Sequence, residues 1–217
     1  MPTNIRPELE TYIETTIIPR YETFDRAHDV NHVRAVIDRS LAMAAEYEVN
    51  PEMVYAIAAY HDTGLIHGRE HHHIDAGRIL ASDTELRRWF SEEEIRTMRE
   101  AVEDHRASSR HAPRSIYGRI VAEADRLIDP QTIIRRTVQY SLAHYPALDR
   151  EGHFTRCLDH LNEKYAEGGY LQLWIVPSEN QRRLEELRRI IRDTTRLREL
   201  FDHAFEAESS SPPTGRQ

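Results

Sequence analysis

Residues 56–80, AIAAYHDTGLIHGREHHHIDAGRIL, hold five histidines and three acidic residues between two apolar, helix-like ends. Imidazole nitrogens and carboxylate oxygens are the ligands that borderline divalent metals take. Clustering in sequence does not by itself distinguish a metal site from a solvated histidine run; helical phase does. Val54, Ile57, Ala58 and His61 stand at i, i+3, i+4 and i+7, so His61 continues an apolar stripe. Asp62 follows it at the mouth of the TG turn. His72 shares a face with Ala76, Ile79 and Leu80, whereas His71 and His73 point about 100° to either side. Ile95, Met98, Val102 and His105 form another such stripe. Tyr117, Val121, Ala124 and Ile128 form a fourth, which also carries Asp125. One inward histidine is an ordinary core residue. Three histidines and an aspartate, each inward on a different helix, favour a metal site, because a buried ionised carboxylate needs a counter-charge.

The elements that must position these groups read as helices throughout. Helices are expected over 7–18, 29–48, 51–62, 71–81, 91–106, 114–129, 131–144, 150–167 and 178–206. SEEE (91–94) is a capping-box pattern, and Pro130 is expected to break the helical run. YLQLWIVP (170–177) is strand-like in composition but isolated, so an extended packing segment is expected there. The fold class is all-α, a single-domain helical bundle. Its expected parts are an N-terminal helix over 1–24 packing on the core, a metal-binding core over 25–145, a C-terminal helical extension of the same domain over 146–207, and a disordered tail over 208–217.

With 217 residues, 39% of them hydrophobic, the chain is long enough for one sizeable core. A net charge of −8 argues against a nucleic-acid polymer or an anionic membrane as partner. No apolar run approaches the roughly 20 residues that span a bilayer. The N-terminus lacks a secretory layout, and the lone Cys157 suits a reducing compartment, so a cytoplasmic location is expected. Homo-oligomerisation is left open.

HVRAV (32–36), AAYHDTG (58–64) and EADRL (123–127) together resemble the HD-domain superfamily of metal-dependent phosphohydrolases, with its ordered His, His-Asp and Asp. The resemblance supplies His32, His61, Asp62 and Asp125 as ligands; the assignment of His32 rests mainly on it, with His28 as an alternative one turn earlier. HHIDAGRIL (72–80) and AVEDHR (101–106) resemble the two insertions of the two-metal branches and match at His72 and His105, the residues that helical phase selects independently. The resemblance covers about residues 25–130. It implies the HD-type helical fold, an Asp62 bridge between two divalent ions (Mn or Fe, with Zn, Co or Mg as alternatives), and a metal-bound hydroxide that attacks phosphorus in an ester or anhydride of a small nucleotide-like metabolite. The alternative is a mixed-valence di-iron oxygenase built on the same six ligands.

Many members carry Lys close after the Gly of HDxG. Leu65 stands in that region here and cannot donate to a phosphate, so Arg69 is the expected substitute. Arg69 and Arg106 are the main expected contacts to a phosphorylated substrate, with Arg110 and Arg114 behind them. Tyr165, Tyr170 and Trp174 are expected either to cover the site or to serve as core.

Overall fold

A computed structural model describes residues 5–25, 28–109 and 111–210, and every regular element among them is a helix. Arg110 and the tail positions 211–217 lie outside the described residues. The remainder of the expected tail does not stand apart, since the last helix continues to Ser209.

Two compact units divide the chain, Met1–Arg126 and Leu127–Gln217. The first opens with α1 (Pro7–Tyr12), which runs on through a π-turn, Ile13–Ile17, and a 3-10 turn, Ile18–Thr23. Leu9, Ile13, Ile17 and Tyr21 recur on one face and are fully buried. Next come α2 (Val30–Ala44), α3 (Pro51–Tyr60), α4 (His72–Ser82), α5 (Glu92–Glu103) and α6 (Ile116–Asp125).

Helix α3 is apolar nearly all round, and all of 52–60 is buried. A helix without a polar face must be covered on every side, and α2, α4, α5, α6 and the π-turn supply that cover. The one charge in it, Glu52, is satisfied by Arg6, whose backbone N–H and Nε each donate at 2.8 Å.

The helix starts follow local chemistry. Asp29, Asn50, Ser91 and Ser115 each accept a backbone N–H of the first turn of α2, α3, α5 and α6. Ser91 with Glu94 forms the full capping box, and loss of such a cap costs about 1 kcal/mol.

The second unit contains α7 (Pro130–His144), α8 (Arg150–Tyr165), α9 (Glu179–Arg192) and α10 (Thr194–Ser209). The metal-binding core is expected from the sequence to extend to 145, and α7, within that span, packs on α8, α9 and α10. Pro130 opens α7 at its first position, with Asp129 as cap. The single helix expected over 178–206 is two, because the Asp193 carboxylate accepts the Arg196 N–H and caps a new helix. Residues 170–177 form no strand, and Leu171 and Ile175 of that segment are buried. No helix of the described residues is long and apolar enough to cross a membrane.

Candidate metal centre

Five helix ends of the first unit bring the polar residues together. His32 sits in the first turn of α2, its backbone N–H held by the Asp29 cap at 3.0 Å. His61 and Asp62 follow the last turn of α3, and His72 opens α4. His105 comes just after α5, and Asp125 ends α6. Gly64 permits this convergence, because a Cβ there would fall on the His72 carbonyl and close the space between the HDTG turn and α4.

Asp62 lies at the middle of the cluster, and its two oxygens face different partners. Oδ2 is 3.2 Å from His61 Nε2 and 3.6 Å from His32 Nε2. Oδ1 is 3.4 Å from His105 Nε2 and 3.5 Å from His72 Nε2. Asp125 joins the first side, with Oδ1 3.1 Å from His32 Nε2 and 3.7 Å from His61 Nε2. The result is two metal-competent triplets, His32–His61–Asp62 and Asp62–His72–His105, each with its ligand atoms within 4.8 Å of one another.

Three of the rings are oriented in the same way. The Nδ1–H of His61 donates to Ala58 O at 2.7 Å, that of His72 to Arg69 O at 2.8 Å, and that of His105 to Val102 O at 2.6 Å. A carbonyl only accepts, so the proton sits on Nδ1 and the Nε2 lone pair is left to face the cluster. That is the tautomer a metal-ligating imidazole needs, and on this observation the residues fit a divalent cation.

The charges call for one as well. Burial pushes the His61 imidazolium down, but Asp62 and Asp125 outweigh it and raise the group to about 9. Burial opposes ionisation of Asp62, yet His61 and His105 hold it well below the usual carboxylate range. Asp125 reaches about 2 against its own burial, through the His32 hydrogen bond and His61. His72 is pushed down, first by burial and then by His105. Two desolvated carboxylates thus draw positive charge into the cluster. A proton supplies it at the cost of an imidazole lone pair, whereas a divalent cation supplies it and uses the lone pairs.

Two residues that hold this geometry escape a motif reading. The Tyr21 hydroxyl, fully buried, donates to Ala59 O at 2.9 Å and accepts the Asp62 N–H at 3.2 Å. It thereby ties the N-terminal segment to the His-Asp doublet. Its i, i+4, i+8 spacing from Ile13 and Ile17 signals burial but not its target. Arg39 donates from Nε to Ala124 O at 2.7 Å, next to Asp125. It lies two helical turns after His32 on the same face of α2, and that spacing is a usable signal.

The remaining candidates separate. His28 precedes the cap of α2 and bonds Asp25 at 2.8 Å instead of joining the cluster. Arg69 is exposed and pairs with Asp25 at 3.2 Å. Arg106 donates to Glu70 O at 2.7 Å. Arg114 is committed elsewhere: it grips Asp104 and Glu103, at 2.9 and 2.8 Å. His71 is exposed beside Glu70. Tyr165, Tyr170 and Trp174 belong to the second unit, where Tyr165 is buried as a core aromatic.

Residues 29–128 match the family model of the HD domain, a span that contains all six cluster residues. No curated protein and no solved structure matches the chain.

Proposed function

The chain carries an HD domain, the mark of a superfamily of metal-dependent hydrolases, and on that premise we propose that it is a two-metal phosphohydrolase acting on a phosphate ester or anhydride of a small, nucleotide-like metabolite. One observation carries the reading: a single buried carboxylate, Asp62, stands between two separate pairs of imidazole nitrogens. In this reading His32, His61, Asp62 and Asp125 hold one divalent ion, and Asp62, His72 and His105 hold a second. Bound there, the ions supply Lewis acidity and an activated water near neutral pH.

The chain's own residues do the rest. The carbonyls of Ala58, Arg69 and Val102 keep the three Nδ1 protons in place, so the ligand lone pairs need no reorganisation. Arg69 is free to exchange its exposed Asp25 partner for a phosphoryl oxygen, since an exposed ion pair is worth only about 0–1 kcal/mol. The side chains that meet in the cluster are imidazoles and carboxylates, so attack by water is the route they support.

The test is a panel of phosphate esters and nucleotides presented to the purified protein loaded with Mn²⁺ or Fe²⁺. Metal-dependent release of phosphate or nucleoside is the expected result. No turnover across the panel, together with O₂ consumption by the reduced iron form, would replace this reading with the di-iron oxygenase.

A further inference from the structure

Beside the His72–His105 half of the cluster opens a cavity of about 580 Å³ whose wall includes His73, Arg106, Ser108, Ser109 and His111. Two of its wall residues are chain neighbours of cluster residues: His73, whose ring is 5.5 Å from that of His72, and Arg106, which follows His105. The volume is in the range of small-molecule pockets, larger than one bare ion needs.

Two carboxylates also border the cavity, and both are neutralised. Asp104 accepts the Arg114 backbone N–H at 2.7 Å and its guanidinium at 2.9 Å. Glu103 is held by Arg99 at 2.7 Å and by Arg114 at 2.8 Å. Arg106 differs: its partner is the Glu70 carbonyl, which cancels no charge, and among the described residues no carboxylate stands at ion-pair distance from it. A cavity that offers, among the described residues, one uncompensated guanidinium and the hydroxyl of Ser108, with its acids already paired, suits an oxyanion.

We infer that this cavity is a second anion subsite. It takes a phosphate group that the substrate carries in addition to the phosphoryl group at the metal centre, with Arg106 as the charge partner and Ser108 as a hydrogen-bonding group. The inference rests on the phosphohydrolase reading for the word substrate. The anion site itself is open to measurement without it.

The experiment is a calorimetric titration of the full chain, stripped of metal by a chelator, with inorganic phosphate. Saturable binding is expected in the wild type. Arg106→Ala is expected to weaken it at least tenfold, Ser108→Ala severalfold, and Arg106→Lys, which keeps the charge and loses the fork, by an intermediate factor. Arg78→Ala, which removes an exposed cation on α4, is expected to bind as the wild type does. Circular dichroism shows that each variant is folded, and Ser108→Ala decides the matter if Arg106→Ala is not. Absence of phosphate binding in the wild type, or binding that both Arg106→Ala and Ser108→Ala leave unchanged, overturns the subsite. Because no metal is present, the two readings fail separately. Phosphate binding with no hydrolysis of any ester removes the proposed function and leaves the subsite; hydrolysis with phosphate binding indifferent to Arg106 and Ser108 does the reverse.

Discussion

The two sides of Asp62 are not equivalent. On the Oδ2 side stand two imidazoles and a second carboxylate, Asp125, all within 3.7 Å of a neighbour in the set. On the Oδ1 side stand two imidazoles alone. The first side therefore offers the charge of Asp125 and a share of that of Asp62 to a cation, and the second only its share of Asp62. The titration behaviour follows the same division: the Oδ2 side draws a proton onto His61, whereas on the Oδ1 side His72 is disfavoured as a cation. A divalent ion is expected to bind more tightly on the Oδ2 side than on the Oδ1 side.

Removal of the shared carboxylate is the strongest way to break this comparison. Asp62→Ala is expected to abolish activity and to empty both sides, as read by turnover and by metal analysis of the folded variant. A loss of less than about tenfold, roughly 1.4 kcal/mol in barrier, is too small for a bridging ligand.

The next test separates the halves. His72→Ala and His105→Ala are each expected to lower bound metal from two ions toward one, while His71→Ala and His73→Ala keep two. Metal-to-protein stoichiometry, with circular dichroism as a check on folding, reads it directly. If the wild type binds one ion and His72→Ala still binds one, the two-metal assignment fails and His72 is a core histidine.

Tyr21→Phe sharpens the account of what orients Asp62. The substitution keeps the ring and removes only the hydroxyl that accepts the Asp62 N–H. Metal affinity is expected to fall severalfold, toward the lower end of the roughly 10–100-fold that supporting residues of metal sites can command. Mn²⁺ titration measures it, and Tyr55→Phe, whose hydroxyl is 3.5 Å from Glu14, is the comparison. Equal affinities for the two variants would make Tyr21 a packing residue only.

The smallest effect is a pH dependence of the metal-free protein. His61 has a folded value near 9, above its ordinary 6.5. The stability it contributes is complete below about 6.5 and is lost as pH rises through about 9. Metal-free protein is expected to melt several degrees lower at pH 9 than at pH 6.5, and metal-loaded protein to show little of this slope, since the ion replaces the proton. A metal-free melting temperature that rises over that interval would contradict the charge balance drawn for the Oδ2 side.

Much of this centre is legible in the chain because helical phase is a local property. His61, His72 and His105 each sit on an apolar stripe of period 3.6, so the inward face is readable from neighbours within two turns. The all-α class, the helix starts at Asp29, Asn50 and Ser91, and the choice of His72 over His71 and His73 follow from the same short-range chemistry. His32 is different: phase alone leaves it at the edge of its stripe, and the resemblance of its motif singles it out.

Relations between distant residues required the tertiary structure. That Asp62 turns one oxygen to His61 and the other to His105, that Tyr21 reaches the Asp62 amide, and that Arg114 is committed to Asp104 while Arg106 keeps its charge are all facts of three-dimensional proximity. Periodicity predicts a face but not what meets it. The same holds for Asp193, which continues an apolar helical pattern on paper and ends it in space by capping the next helix. The sequence determined which side chains face inward. Packing of five helix ends, with α4 drawn against the turn after α3 at Gly64, decided which of them meet, because charge, hydrogen bonding and metal ligation act over a few ångströms, whereas these residues lie far apart along the chain.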